Sequence, residues 1–287
     1  VYKLEVDNSI NSFEVVDIEL DSWIFTLGNE IVQGRVINTN ASFIGRRLTL
    51  LGFRVVGVLS LIDDVDVISR YISLVLKEKP RVIVSTGGLG PTHDDRTLEA
   101  ISKAVNKRLV INQEALEMIK ARYSLHGIEL TIERIKMAYL PEGAIPIPNP
   151  IGTAPGSWLE VGETIIVSLP GVPKEMEIMW SSWVEPRLRA IGPPIHIVER
   201  LFVIEDVPEA TFAPIVKDVL KVFSNLYIKT HPKGDEVGKQ VLEVYVMYSH
   251  RDRNEAEVAI DNAIQLLHKK FRERYGTELK SMLVKVK

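Results

Sequence analysis

Ser85-Thr86-Gly87-Gly88-Leu89-Gly90-Pro91-Thr92-His93-Asp94-Asp95-Arg96-Thr97 is the stretch on which the reading of this chain turns. Upstream, Pro80 stops a helical pattern, and Arg81-Val82-Ile83-Val84-Ser85 is a β-branched run without polar alternation. Such a run is expected of a central strand in a parallel sheet covered on both faces. Three glycines follow, then a helix predicted over 96–106. Glycine lets the backbone adopt positive φ and lets N–H groups come close to an anion, while the start of a helix aims unsatisfied N–H groups at the same point. The segment therefore predicts a strand–loop–helix junction suited to a phosphorylated small molecule. A Walker GxxxxGK[ST] string is not present here, and the glycine spacing is not GxGxxG. Glycine-rich turns after strands also occur with no ligand. Asp94 and Asp95 can coordinate a divalent cation that bridges to phosphate. Equally, Thr92-His93-Asp94-Asp95 matches a capping box in which Asp95 only satisfies backbone donors. The residues alone leave both readings open.

Outward from the loop, strands and helices alternate. Trp23-Ile24-Phe25-Thr26-Leu27 predicts a buried strand ending at Gly28, residues 38–52 a helix with Gly52 as C-cap, and residues 54–62 a strand. Asp63 or Asp64 can cap the helix that runs on to Lys79. Further helix is predicted over 112–125, a long Pro/Gly-rich loop over 141–156, two strands around Gly162-Glu163, and a closing helix over 174–189. This rhythm predicts right-handed βαβ units and an open, mostly parallel sheet. Gly192-Pro193-Pro194 is the linker candidate. Beyond it the order β-α-β-β-α predicts a second, smaller α+β domain. The expected division is an extension over 1–22 with room for an extra strand or hairpin, an α/β domain over 23–191, and an α+β domain over 195–287.

The chain has 287 residues, a hydrophobic fraction of 46%, a net charge of −3 and no cysteine. Disulfides, thiolate metal sites and cysteine nucleophiles are excluded, and no global charge draws nucleic acid or an anionic membrane. No apolar run approaches the roughly 20 residues of a membrane span, and the start lacks a signal-peptide pattern, so a cytoplasmic location is expected. The six histidines are scattered with no HxxxH or HExxH pattern, so no histidine metal site is expected. Trp180 and Trp183, at helical spacing, are expected in packing.

The segment 86–97 resembles the signature of the molybdopterin-binding domain family, and its leucine-glycine-proline-threonine form with paired aspartates is similar to the CinA-like (competence-damage-inducible) branch. Gly28-Asn29-Glu30-Ile31-Val32-Gln33-Gly34 and Asn38-Thr39-Asn40 resemble the first loop of that family. Asp63-Asp64 resembles its second helix start, Pro148–Gly156 its mobile loop, and Leu169-Pro170-Gly171-Val172-Pro173-Lys174-Glu175-Met176 its closing motif. The match spans roughly residues 23–190. It implies a doubly wound α/β domain followed by a KH-like α+β domain. Longer relatives add a nicotinamide mononucleotide deamidase domain, which these 287 residues are not expected to contain, so deamidase activity is not an expected function.

The resemblance implies a metal-dependent nucleotide pyrophosphatase acting on ADP-ribose or a similar phosphorylated nucleotide. The alternatives are molybdopterin binding or adenylylation in molybdenum cofactor biosynthesis, and a non-catalytic nucleotide-binding module. Carried over residue by residue, Asp95 and Asp94 are the implied catalytic positions. Glu30, Asn38, Asn40, Thr86, Gly87, Gly88, Gly90, Thr92, Thr97, Gly171, Pro173 and Glu175 are the implied substrate contacts. Asp94, Asp95 and Glu30 are the implied ligands of a divalent cation of the Mg, Mn or Co type. Asn29 departs from the threonine usual in that first loop. A homo-oligomer, dimer or trimer, is implied as well. A KH-like domain suggests RNA, but the GxxG clamp is missing and the local charge is nearly balanced, so nucleic acid is not an expected partner.

Overall fold

The computed structural model describes residues 20–125, 127–233 and 240–284. Of the extension expected over 1–22 with its strand or hairpin, residues 1–19 lie outside the described residues, and Asp21 and Ser22 already belong to the first strand of the α/β unit. The first unit runs β1 (Asp21–Leu27), α1 (Asn29–Val32), α2 (Thr39–Leu50), β2 (Arg54–Leu61), α3 (Val65–Leu76), β3 (Val82–Thr86) and α4 (Thr97–Ala104). It continues with β4 (Leu109–Ile111), α5 (Gln113–Ser124), α6 (Ile132–Ile135), β5 (Tyr139–Pro141), β6 (Ile145–Ile147), β7 (Gly156–Val161) and β8 (Thr164–Leu169). It closes with α7 (Pro173–Met179), a π-helical turn Trp180–Val184, and α8 (Glu185–Ile191).

Six strands form the main sheet in the order β2-β1-β3-β8-β7-β6. The four from β2 to β8 are parallel, and β7 is antiparallel to both neighbours. The whole of β3 is buried because both sheet faces are covered. Successive residues feed opposite cores. Phe25 and Ile83 pack with Ile101, Ile119 and Leu140, whereas Ile24 and Val84 pack with Ile44, Leu48, Trp180 and Leu188. This is the doubly wound α/β architecture, with the carboxyl ends of β1, β3 and β8 side by side.

Two expectations over this unit are corrected. Residues 141–156 are not one long loop: β6 lies inside them and pairs with β7 in the register Ile145↔Trp158 and Ile147↔Gly156. Pro146 masked that strand. It lies in the edge strand of the sheet, where a missing N–H costs no ladder bond on the open side. The helix expected over 174–189 is interrupted by its π-helical turn, where Trp180 Nε1 donates to Glu185 Oε2 at 3.2 Å.

The second unit runs β9 (His196–Glu205), α9 (Glu209–Leu220), β10 (Leu226–Lys233), β11 (Val241–His250), α10 (Arg253–Tyr275) and β12 (Ser281–Val284). Its antiparallel sheet has the order β10-β11-β9-β12, and β12 is a strand that the sequence reading did not predict. Phe202, Val244 and Val246 from the sheet pack with Phe212 of α9 and with Ile260 and Leu267 of α10. The units meet at α2, where Arg46 Nε donates to Glu199 Oε1 at 3.1 Å and Tyr245 bonds to the same carboxylate. Among the described residues, no helix is long and apolar enough to cross a membrane.

Candidate functional site

The glycine loop is shaped by three neighbours. Gly87 has φ +101, and a Cβ there would stand 2.1 Å from the carbonyl oxygen of Leu27. Its N–H donates to Leu169 O at 3.0 Å. Thr97 Oγ1, buried at the start of α4, donates to Gly87 O at 2.8 Å, and Thr97 N donates to Gly88 O at 3.2 Å. Gly88 has φ +65, and a Cβ there would lie 2.3 Å from Thr97 Oγ1. The loop is therefore held by the ends of β1 and β8 and by the first residue of α4. Among the described residues, the amides of Gly88, Leu89 and Gly90 donate to no backbone carbonyl, which leaves them available to an anion.

Asp94 and Asp95 follow in a turn of their own. Thr92 N donates to Asp95 Oδ2 at 2.9 Å, and the Thr92 hydroxyl lies between the two carboxylates, 2.5 Å from Asp95 Oδ2 and bonded to Asp94 Oδ1. The Thr92 hydrogen bond, then its own backbone, hold the Asp94 carboxyl below the usual carboxylate value. The capping-box reading changes here: α4 begins at Thr97, its N-cap is Arg96, and no side chain caps it. Asp95 thus closes the turn before the helix and leaves the helix end itself uncapped. His93 is 98% exposed at the tip.

The facing wall comes from the loops after β1 and β2. Asn38 caps α2 by accepting from Ala41 N at 3.1 Å and donates through Nδ2 to Thr26 Oγ1 at 2.9 Å. Of the two acids at the start of α3, Asp64 makes the cap, accepting from Asp66 N and Val67 N at 2.9 Å. Asp63 turns to the pocket and accepts from Asn29 N at 3.0 Å. Its pKa is raised, first by burial and then by the like charges of Glu30, Asp94 and Asp95. Asn40 Nδ2 donates to Gly171 O at 2.8 Å. Glu175 accepts from Asn149 Nδ2 at 2.7 Å, and Asn149 in turn orders residues 149–154 by bonding Gly152 N and Ala154 O.

These elements enclose a cavity of about 470 Å³. Of the residues expected at the site, Glu30, Asn38, Asn40, Thr86, Gly87, Gly88, Gly90, Asp94, Asp95, Gly171, Pro173 and Glu175 line it. Thr92 and Thr97 do not; they stand behind it, one gripping the aspartates and the other the glycine loop. Pro170 and Val172 of the closing motif line it too, whereas Asp63, Thr153 and Ile37 also line it and were not singled out from the sequence as site residues. Asn40 Oδ1 and Thr86 Oγ1 are buried polar atoms without a partner at its wall.

Charge at the cavity is one-sided. Glu30, Asp63, Asp94, Asp95 and Glu175 line it, with no lysine, arginine or histidine among the lining residues. Arg96 and Lys136 line instead a second cavity, of about 280 Å³, on the other side of Gly88-Leu89-Gly90. Among the described residues, no three His, Asp or Glu side chains converge into a preformed metal site. The implied set Asp94, Asp95 and Glu30 is thus not assembled around one point. Thr92 gathers the two aspartates, while the Glu30 carboxylate lies over Gly28, where a Cβ would be 2.5 Å from Oε1.

Comparison with known proteins adds the following. A family model described as "Probable molybdopterin binding domain" matches residues 23–190. A protein of Pyrobaculum calidifontis is 42% identical over 256 residues, covering 89% of this chain and 97% of its own length. A protein of Caldivirga maquilingensis is 45% identical over 247 residues, covering 86% of this chain and 95% of its own. A crystal structure of the protein CinA, of unknown function, from Thermoplasma acidophilum is 43% identical. It covers 59% of this chain and 98% of that one, with a TM-score of 0.56.

Proposed function

This chain belongs to the molybdopterin-binding domain family, in its CinA-like branch, and from that premise we propose that its cavity is the active site of a divalent-cation-dependent nucleotide pyrophosphatase. The observation behind this reading is the charge of the pocket. Free glycine-loop amides line one wall, and the charged side chains among the other lining residues are five carboxylates with no basic group. A pyrophosphate entering alone would meet only like charge beyond the loop. A cation between the two resolves the conflict.

The donor set is all oxygen, as hard cations require. A Mg-type ion takes one or two carboxylates and completes its shell with substrate phosphates and water, so a preformed three-carboxylate cluster is unnecessary. Asp94 and Asp95, already paired by Thr92, would hold it, with Glu30 facing them. When bound, the cation neutralises charge on the phosphoryl oxygens.

The chain's own groups supply the rest. The amides of Gly88 to Gly90 and the N-terminus of α4 would receive one phosphate. Asp63, whose proton affinity is raised by burial and by its acidic neighbours, would take the proton of the attacking water. The water oxygen bonds to phosphorus, the bridging P–O bond breaks, and the second phosphate departs with the bond pair and picks up a proton from solvent. From ADP-ribose the products are AMP and ribose 5-phosphate. The test is release of AMP from ADP-ribose with and without Mg, Mn or Co. Cation-dependent release is expected, and the reading fails if none of the three supports it. The family description equally fits a pterin ligand, and adenylylated molybdopterin as a parallel substrate separates that reading.

A further inference from the structure

Two large aliphatic side chains stand at the mouth of this cavity on separate loops. Ile37 is 85% exposed and Val172 is 53% exposed, and both line the cavity that the glycine loop closes. Their exposure is built into the backbone. Thr39 N donates to Ile37 O at 2.8 Å around Asn38, whose φ −75 and ψ 70 make an inverse γ-turn. The Asn38 side chain fastens that turn to Thr26 and to α2. Val172 lies between Gly171 and Pro173 as N-cap of α7. The bond from Asn40 Nδ2 to Gly171 O ties the two loops together and so fixes the spacing of the two side chains.

A phosphate has no use for aliphatic neighbours, whereas a planar heteroaromatic ring presents two apolar faces that bury well against them. We propose that Ile37 and Val172 form a clamp for the planar ring of a ligand whose phosphate end rests on the glycine loop. This rests on the pyrophosphatase reading for the position of the phosphate. The cavity, at about 470 Å³, falls in the size range of sites that enclose a small organic ligand and not phosphate alone. The clamp assigns to Ile37 and Val172 the choice of ring, separate from the chemistry at Asp94 and Asp95.

The experiment is titration calorimetry in Mg with two probes, ADP-ribose and inorganic pyrophosphate, each with a methylene in place of the bridging oxygen so that neither is hydrolysed, on the wild type, Ile37→Ala and Val172→Ala. Ile37→Ala removes apolar surface that is mostly exposed and Val172→Ala surface that is about half exposed, and thermal unfolding of each variant provides the folding control. Loss of those methyl groups from a ring contact is expected to weaken ADP-ribose by about tenfold, with pyrophosphate shifted far less. If pyrophosphate binds the wild type but both probes weaken equally in the variants, or neither does, the clamp is wrong and the phosphate site stands. Should the wild type bind neither probe, the phosphate site falls and the clamp with it. Sedimentation adds one further outcome: if Ile37→Ala dissociates an oligomer while the ratio of the two affinities is unchanged, a second copy covers the residue and the clamp is overturned.

Discussion

Asn40 Nδ2 donates to the carbonyl of Gly171 at 2.8 Å, joining the first turn of α2 to the loop after β8 across 131 positions of sequence. Asn40 itself is 5% exposed. Asn40→Ala removes this bond, whose Gly171 end is exposed and can take water in its place, and is expected to cost about 0.5–1.5 kcal/mol of stability in denaturant unfolding. It also releases two walls of the pocket from each other, so ADP-ribose affinity should fall in the same variant. Asn40→Asp sets a carboxylate against the carbonyl and should be worse at neutral pH than at pH 4. Unchanged unfolding in both variants would deny the tether its role.

Thr97 and Gly87 carry a second prediction. Thr97 Oγ1 is the buried donor to Gly87 O. Thr97→Val keeps the volume and removes that donor, so a loss of about 1–3 kcal/mol is expected, with Thr97→Ser retaining most of the stability. Gly87→Ala is expected to be more damaging than either, because its Cβ would meet Leu27 O at 2.1 Å at a φ of +101. Urea unfolding of the three variants sets the order, and a Thr97→Ser as damaging as Thr97→Val would contradict it.

How much of this site is legible in the sequence depends on how local its cause is. The glycine loop was legible because a β-branched run, three glycines and a helix start are consecutive, and Thr97 falls where that order puts the first helical turn. Asp63 was not. It and Asp64 are chemically identical neighbours, and only the N–H of Asn29, 34 positions away, decides which one faces the pocket. β6 was lost to its proline, whose edge position is a property of the whole sheet. β12, with its exposed Met282 and Leu283, has no buried face to announce it and exists by pairing with β9 about 80 residues earlier in the chain. The aliphatic mouth was half legible: Val172 belongs to the closing motif 169–176, but Ile37 joins it at one cavity only after α2 and β8 are placed.

Asp95 bears the third prediction. Its Oδ2 accepts from Thr92 N at 2.9 Å, and an asparagine oxygen can accept the same bond. Asp95→Asn should therefore keep the turn and the fold while removing one negative charge from the cation's side of the pocket. A fall in ADP-ribose hydrolysis of about a hundredfold or more is expected, the scale of losing a charged group at a reacting centre. The thermal midpoint should move little. Full activity in Asp95→Asn would remove Asp95 from the mechanism.

Asp63 gives a pH prediction whose sign follows from its surroundings. Burial first, then the charges of Glu30, Asp94 and Asp95, raise its pKa above the ordinary 3.8. Between 3.8 and the raised value, the folded protein retains a proton that the unfolded chain has released. The contribution of Asp63 to stability is therefore full below 3.8 and is lost as pH rises through the folded value. Asp63→Asn does not titrate and keeps an oxygen for Asn29 N. Its thermal midpoint relative to wild type should accordingly climb from pH 4 upward and level off once pH has passed the folded value. A divalent cation relieves the same repulsion in the wild type, so added Mg should shrink that advantage more at pH 7 than at pH 4, where more of the wild-type carboxyl holds its proton. Parallel melting curves at every pH, with or without Mg, would show that the four acids do not share one field, and the charge argument for a cation in this pocket would lose its footing.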